Sequence, residues 1–240
     1  MEKHALLIAG TDTEVGKTVV GLLLAAALSN RGLAVAAMKP VESGCEPDAL
    51  DAQMLAAVAG GALERVCPYR LELPVAPQAA AEAEGRSIEL DVIRQGLDGW
   101  REEADIVLVE AAGGLGTPYA PGLLVLDLAR ELELPVLLVA RHALGTVGQT
   151  LVALRLMRHE GVHCAGVVLS QTTREGPGPE ARTHAPLLAQ HGGDVPLLGI
   201  LPHLPPPPAS PPDGVHGWAE WHHPVFEEAV DLDRLLGRLA

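Results

Sequence analysis

A short apolar run, Ala5-Leu6-Leu7-Ile8-Ala9, leads straight into Gly10-Thr11-Asp12-Thr13-Glu14-Val15-Gly16-Lys17-Thr18. That loop opens onto Val19-Val20-Gly21-Leu22-Leu23-Leu24-Ala25-Ala26-Ala27-Leu28. The flanking segments read as a strand and a helix. Strand, glycine-bounded loop and helix in this order restrict the chain to folds in which loop amides and a helix N-terminus converge on an anion. Lys17 is then expected to reach the outer phosphates of a nucleotide, and Thr18 to offer its hydroxyl to Mg²⁺. The spacing is a variant, because Thr11 stands five positions before Gly16, where the usual loop carries glycine, and Gly10 precedes it. A chance Gly-Lys-Thr in an ordinary loop is the competing reading, and the flanking strand and helix weigh against it.

Further apolar runs follow the same logic. Leu33–Met38 reads as a second strand, turned by Lys39-Pro40. Ile106–Val109 ends at Glu110, Pro135–Ala140 near Arg141, and Ala165–Leu169 at Ser170. These runs do not alternate, as expected of strands buried on both faces. Helical stretches are expected over Asp51–Ala59, Ala79–Glu84, Leu123–Glu133, Val147–His159 and Glu180–Gln190, with Leu73–Gln78 as a loop. The repeated order predicts a single-domain α/β fold over residues 1–240, a mostly parallel sheet with helices on both faces and ligands at the strands' carboxyl ends. Pro205–Pro208 and Pro211-Pro212 make residues 205–212 a stiff surface connector before a C-terminal helix.

With aromatics at only 2% of residues, the core must be built from Leu, Val and Ala, and stacking platforms for nucleic acid are not expected. A formal charge of −14 repels polyanions, so neither nucleic acid nor an anionic membrane is an expected partner. Phosphates must be held by local amides, lysines and metal. The N-terminus enters the first strand with no room for a signal peptide, and no apolar run is long enough to span a bilayer, so a cytoplasmic location is expected. Cys45, Cys67 and Cys164 show neither ligand spacing nor a disulfide pattern, and the histidines other than His142, His222-His223 among them, read as surface residues.

Polar residues gather where the predicted strands end. Lys39 and Ser43 follow the second strand, where a lysine beside a phosphate loop can steady transferred negative charge. Glu110 ends an apolar strand, a costly place for an unpartnered carboxylate and a suitable one for an Mg²⁺ ligand. Gly113 allows an amide close to a terminal phosphate. Asp51 is a further candidate ligand; Asp48 competes with it, and a helix N-cap is the competing reading for Asp51 taken alone. At Leu144-Gly145-Thr146, free amides could hold a carboxylate, and a plain capped helix start is the even alternative.

Taken together, Gly10–Thr18, Lys39-Pro40-Val41-Glu42-Ser43-Gly44, Val109-Glu110-Ala111-Ala112-Gly113-Gly114 and Leu144-Gly145-Thr146 resemble dethiobiotin synthetases. Pro74–Pro77 and Pro196–Pro202 add to the likeness, which covers roughly residues 3 to 204. The resemblance implies ATP-dependent, Mg²⁺-dependent carboxylation of diaminopelargonate by CO₂ or bicarbonate and ring closure, without a biotin prosthetic group. By position it implies Lys17, Lys39 and Thr13 as catalytic groups, and Thr18, Asp51 and Glu110 as the Mg²⁺ set. ATP would be held by Glu14, Val15, Gly16, Lys17, Thr18, Val19, Asp51, Glu110, Gly113, Ser170, Gln171 and Pro202. The substrate would meet Thr13, Lys39 and Ser43, and Leu144, Gly145 and Thr146 across a homodimer interface.

Three places depart from the family pattern. Ala111 replaces a common glycine, Ser170-Gln171 stands where an asparagine commonly reads adenine, and Gly148-Gln149 stands where Asn-His is usual. A ligase acting on another carboxylate or amine and an ATP-dependent switch are the alternatives. The first generally carries a glutamine-hydrolysing domain, and the second commonly a lysine early in the loop, where this chain has Asp12.

Overall fold

The computed structural model describes residues 4–175, 178–208 and 214–239. Strand β1 (His4–Gly10) feeds the phosphate loop and helix α1 (Lys17–Asn30), followed by β2 (Val35–Met38). A side layer follows: β3 (Val41–Ser43), α2 (Leu50–Ala59), α3 (Leu63–Val66), β4 (Tyr69–Leu71) and α4 (Pro77–Ala83). Helix α5 (Leu90–Glu103) returns the chain to β5 (Ile106–Gly114). Next come β6 (Pro118–Ala120), β7 (Leu123–Leu124) and α6 (Val125–Glu131). The second half runs β8 (Val136–Arg141), α7 (Thr146–His159), β9 (Cys164–Ser170), α8 (Ala181–His191) and β10 (Leu197–Leu201). It closes with α9 (Val215–Ala229) and α10 (Leu232–Leu236).

The six main strands form one parallel sheet in the order β10-β9-β8-β1-β5-β2. The chain is thus α/β with a parallel central sheet, as the apolar runs predict. Helices cover both faces; α1, α2 and α9 pack together as one group and α7 and α8 as another. The buried stretch Val20–Leu28 makes α1 apolar all round, which suits a helix enclosed between the sheet and other helices.

Several local expectations are corrected. No element was expected between Glu84 and Ile106, yet α5 lies there, burying Ile93, Leu97 and Trp100 along one helical face. Gly96 and Gly99 weaken its propensity, so its stability comes from that packed face. The helix expected from Leu123 begins two residues later, because Leu123–Leu124 pairs antiparallel with β6. The Leu124 amide donates to Asp127 Oδ2 at 2.9 Å as the helix starts. Histidines expected at the surface are partly or wholly inside: His184 is buried, and His222 stacks on Trp218 with its Nδ1 2.9 Å from the Trp218 carbonyl oxygen. Cys45, Cys67 and Cys164 are buried and unpaired, with burial pushing the Cys67 and Cys164 thiols up to about 12. Among the described residues no helix is long and apolar enough to cross a membrane. Of the proline-rich connector, residues 209–212 lie outside the described residues.

Candidate active site

Sheet register assembles the site. Strands β2 and β5 pair in parallel with Met38 opposite Val109, so the next residues, Lys39 and Glu110, leave the sheet side by side. On the other side of β5, Ile8 of β1 lies opposite Glu110, which brings the phosphate loop to the same edge. The result is a cleft of about 670 Å³ lined by Thr13, Glu14, Gly16, Lys17, Thr18 and Val19 from the loop and α1. Lys39, Ser43, Asp51, Glu110 and Gly113 form its inner wall, and Ser170, Gln171 and Pro202 its far wall.

A charged cluster occupies the inner wall. Lys39 Nζ lies 2.7 Å from Glu110 Oε1 and also donates to Asp51 Oδ2. Thr18 Oγ1 donates to the same Glu110 oxygen at 2.9 Å. Burial alone would pull the Lys39 ammonium down, but Glu110 and Asp51 more than reverse this and hold it above the ordinary lysine value. Burial pushes the Asp51 carboxyl up, but the charge and hydrogen bond of Lys39, together with Thr18 and Lys17, leave it below the usual range. Lys17 differs: its ammonium is lowered chiefly by burial, and its Nζ donates to the Asp12 carbonyl oxygen at 3.1 Å.

Glu42, which the sequence reading did not single out, holds this arrangement in place. Its two carboxylate oxygens accept the backbone amides of Asp51 (3.0 Å) and Ala52 (2.8 Å). These are orphan donors of the first turn of α2, satisfied here by a side chain nine and ten positions upstream. Asp51 is therefore not a cap; it lies inside α2, and its own carboxylate is free to meet Lys39. Asp48 accepts from Gln53 Nε2 at 3.0 Å and is not part of the cleft wall, so the structure separates the two aspartates.

The donors fit magnesium. Thr18, Asp51 and Glu110 offer hard oxygens, and Glu110 Oε2 is buried with no hydrogen-bond partner. Among the described residues no three His, Cys, Asp or Glu side chains converge. Two carboxylates and a hydroxyl suit an ion that retains several waters and contacts nucleotide phosphates.

The remaining expected residues are spread more widely. Val15 is buried beneath the loop. Ser170 is turned to the phosphate loop: a β-carbon on Gly16 would meet its Oγ at 2.6 Å. Gln171 Nε2 donates to the Thr173 carbonyl oxygen at 3.2 Å. Gly113 adopts φ +76°, and a β-carbon there would lie 2.3 Å from Thr117 Oγ1, so the glycine serves a tight turn as well as the cleft. Leu144, Gly145 and Thr146 lie outside the main cleft. Gly145 begins α7 in a left-handed conformation with no side-chain cap, Leu144 is 84% exposed, and Thr146 is buried. Nearby Gly148 and Gln149 line a second cleft with Gly10, Thr11 and Val152. His203, Leu204, Pro206 and Pro207, for which no local sequence signal gives a role in the site, also line the main cleft. The start of the proline-rich connector therefore borders the site.

A parallel sheet whose first strand delivers Gly-Lys-Thr to a helix N-terminus, with a strand-end acid beside it, defines a P-loop NTPase fold. Comparisons with known proteins agree. A family profile described as an AAA domain matches residues 4–207. The Pyrococcus horikoshii septum site-determining protein MinD, solved with Mg-ADP, superposes with TM-score 0.54 at 20% identity, covering 100% of this chain and 99% of that one. A chain of the Aquifex aeolicus MinC:MinD cell division protein complex gives 0.55 at 15% identity, over 84% of this chain and 82% of that one. Both likenesses concern the fold. Sequence relatives are more specific: the ATP-dependent dethiobiotin synthetase of Bacillus cereus is 38% identical over 200 residues, 81% of each chain. That of Anaeromyxobacter dehalogenans is 41% identical over 191 residues, 78% of this chain and 82% of the relative. The chain belongs to the ATP-dependent dethiobiotin synthetase family.

Proposed function

We propose that this chain carboxylates 7,8-diaminopelargonate with CO₂ or bicarbonate and closes the ring to dethiobiotin, consuming ATP and releasing ADP and phosphate in biotin biosynthesis. The observation that carries this reading is the shared cleft, in which a phosphate loop, a buried lysine and a hydroxyl–carboxylate set face the same space. One substrate amine takes up CO₂ as a carbamate, the γ-phosphoryl group passes to the carbamate oxygen, and the second amine attacks the carbonyl carbon and expels phosphate. Such transfer needs positioning and charge stabilisation more than a protein nucleophile.

The chain's own residues divide that work. The loop amides and Lys17 hold the outer phosphates, Lys39 faces the carbamate, and Thr13 and Ser43 border the amines. Thr18, Asp51 and Glu110 would hold magnesium, which would supply positive charge to offset that of the nucleotide phosphates. Gly113 borders the γ-phosphate, while Gln171, Pro202 and the Pro206-Pro207 segment flank the base. Purified protein with ATP, Mg²⁺ and bicarbonate should release phosphate only when diaminopelargonate is added, with matching dethiobiotin by mass spectrometry. Phosphate release indifferent to the diamine would contradict the assignment and favour an ATP-dependent switch or another substrate.

A homodimer acting in the cytoplasm completes the reading. Leu144, Val152 and Leu156 are exposed apolar side chains on or just before α7, and Val152 and Leu156 border the second cleft. Such a patch suits a second copy whose α7 start closes over the substrate carboxylate. Sedimentation should give a dimer, and Val152→Asp should yield folded monomer with a raised KM for the diamine. A wild-type monomer with full activity would remove the shared-site arrangement.

A further inference from the structure

The cation in contact with the two carboxylates of the inner wall is a lysine of the chain itself. Lys39 Nζ touches both Asp51 and Glu110, and Thr18 shares the Glu110 oxygen that Lys39 uses. The same two carboxylates are those assigned above to magnesium, and the inference rests on that reading. A lysine ammonium and a divalent ion at contact distance repel strongly even under protein-surface screening, because the interaction scales with the product of their charges. The two cations are therefore alternatives at these carboxylates.

Three features distinguish the arrangement from a permanent structural ion pair. Glu110 Oε2 is buried and unpartnered, so the pair does not use all its acceptor capacity. The Asp51 side chain is 36% exposed while that of Glu110 is 1% exposed, so the cluster opens toward the cleft at its Asp51 end. Lys39 itself lines that cleft, giving its flexible stem somewhere to turn. Glu42 cannot take over as its partner without releasing the two amides of α2 that it accepts.

We propose that Lys39 is an exchangeable counter-ion: it neutralises Asp51 and Glu110 until metal arrives with nucleotide, and its displacement by the metal sends the ammonium into the cleft toward the anion forming there. The exchange delivers the lysine only when the phosphates and their metal are in place. It also keeps the buried Glu110 carboxylate, with half-buried Asp51 beside it, from standing uncompensated in the nucleotide-free protein, a state that is strongly unfavourable.

The test uses the full chain without nucleotide and Mn²⁺ alone as probe, with free ion counted by electron paramagnetic resonance. Lys39→Met is expected to bind Mn²⁺ at least about tenfold more tightly than wild type, since it removes the competing charge. Lys39→Arg, which keeps that charge, should bind it no better than wild type. Thermal unfolding supplies the second measurement: Lys39→Met should melt below wild type without metal and regain stability with Mg²⁺, while wild type responds little. Equal Mn²⁺ affinity in wild type and Lys39→Met overturns the exchange, as does a Lys39→Met chain that stays unfolded with saturating Mg²⁺. Failure to make dethiobiotin would leave these metal measurements standing, whereas dethiobiotin synthesis with equal affinities would sink the exchange alone.

Discussion

Lys39→Met should lower kcat for diamine-dependent phosphate release by about 10²–10³-fold, the usual cost of removing one preorganised group that stabilises developing negative charge. Lys39 leaves β2 beside Glu110 because Met38 and Val109 are in register, so its ammonium rests on the inner-wall carboxylates at the cleft into which the exchange is proposed to send it. No other described ammonium does the same: Lys17 is engaged with the Asp12 carbonyl oxygen in the phosphate loop. The variant should still bind Mg²⁺ and ATP, so the loss should fall on kcat more than on the KM for ATP. Metal affinity and turnover then move in opposite directions, a combination that loss of a purely structural ion pair would not produce. Steady-state kinetics at saturating ATP and diamine check this; kcat within a few-fold of wild type would remove Lys39 from the chemistry.

The parts of the site that were legible in the sequence are those set by one strand and the turn after it. Val109-Glu110 and the Gly-Lys-Thr helix start could be placed because continuous apolar runs give the strand ends, and parallel strands deliver their C-terminal residues to one edge. Pairings between strands were not legible. Nothing local to Lys39 indicates that it meets a residue 71 positions away, a contact created by the β2–β5 register. Glu42 was missed for a related reason: as a cap for α2 it acts across a loop, outside the short spacing of a capping box. The three-residue strands β3 and β4 carry Glu42 and Arg70 in their middle positions, so neither offers an apolar run to detect. Ser170 could be placed at the end of β9, but the direction of its hydroxyl depends on the distant approach of Gly16.

That approach sets the second large expectation, that Gly16→Val will abolish nucleotide binding while leaving the sheet intact. Gly16 caps α1 at φ +95° and ψ 22°, a region that costs an L-residue about 1–2 kcal/mol and a β-branched one more. Space compounds the strain, because a β-carbon would sit 2.6 Å from Ser170 Oγ and 3.3 Å from Ser170 Cβ. Ser170 is buried at the end of β9, and its backbone is held by the β9–β10 pairing and by the His142 amide, so the loop rather than the strand must yield. Moving the loop turns the amides at the α1 N-terminus away from a phosphate, and with them the main source of anion affinity. Calorimetric titration with Mg-ATP should show at least about a hundredfold weaker binding, which is roughly 2.7 kcal/mol. Gly16→Ala with Ser170→Gly separates the causes. Relief of the contact should restore part of the affinity, while the remaining deficit reports the left-handed backbone; no recovery would assign the whole loss to φ, and wild-type binding by Gly16→Val would show that the loop does not need this conformation.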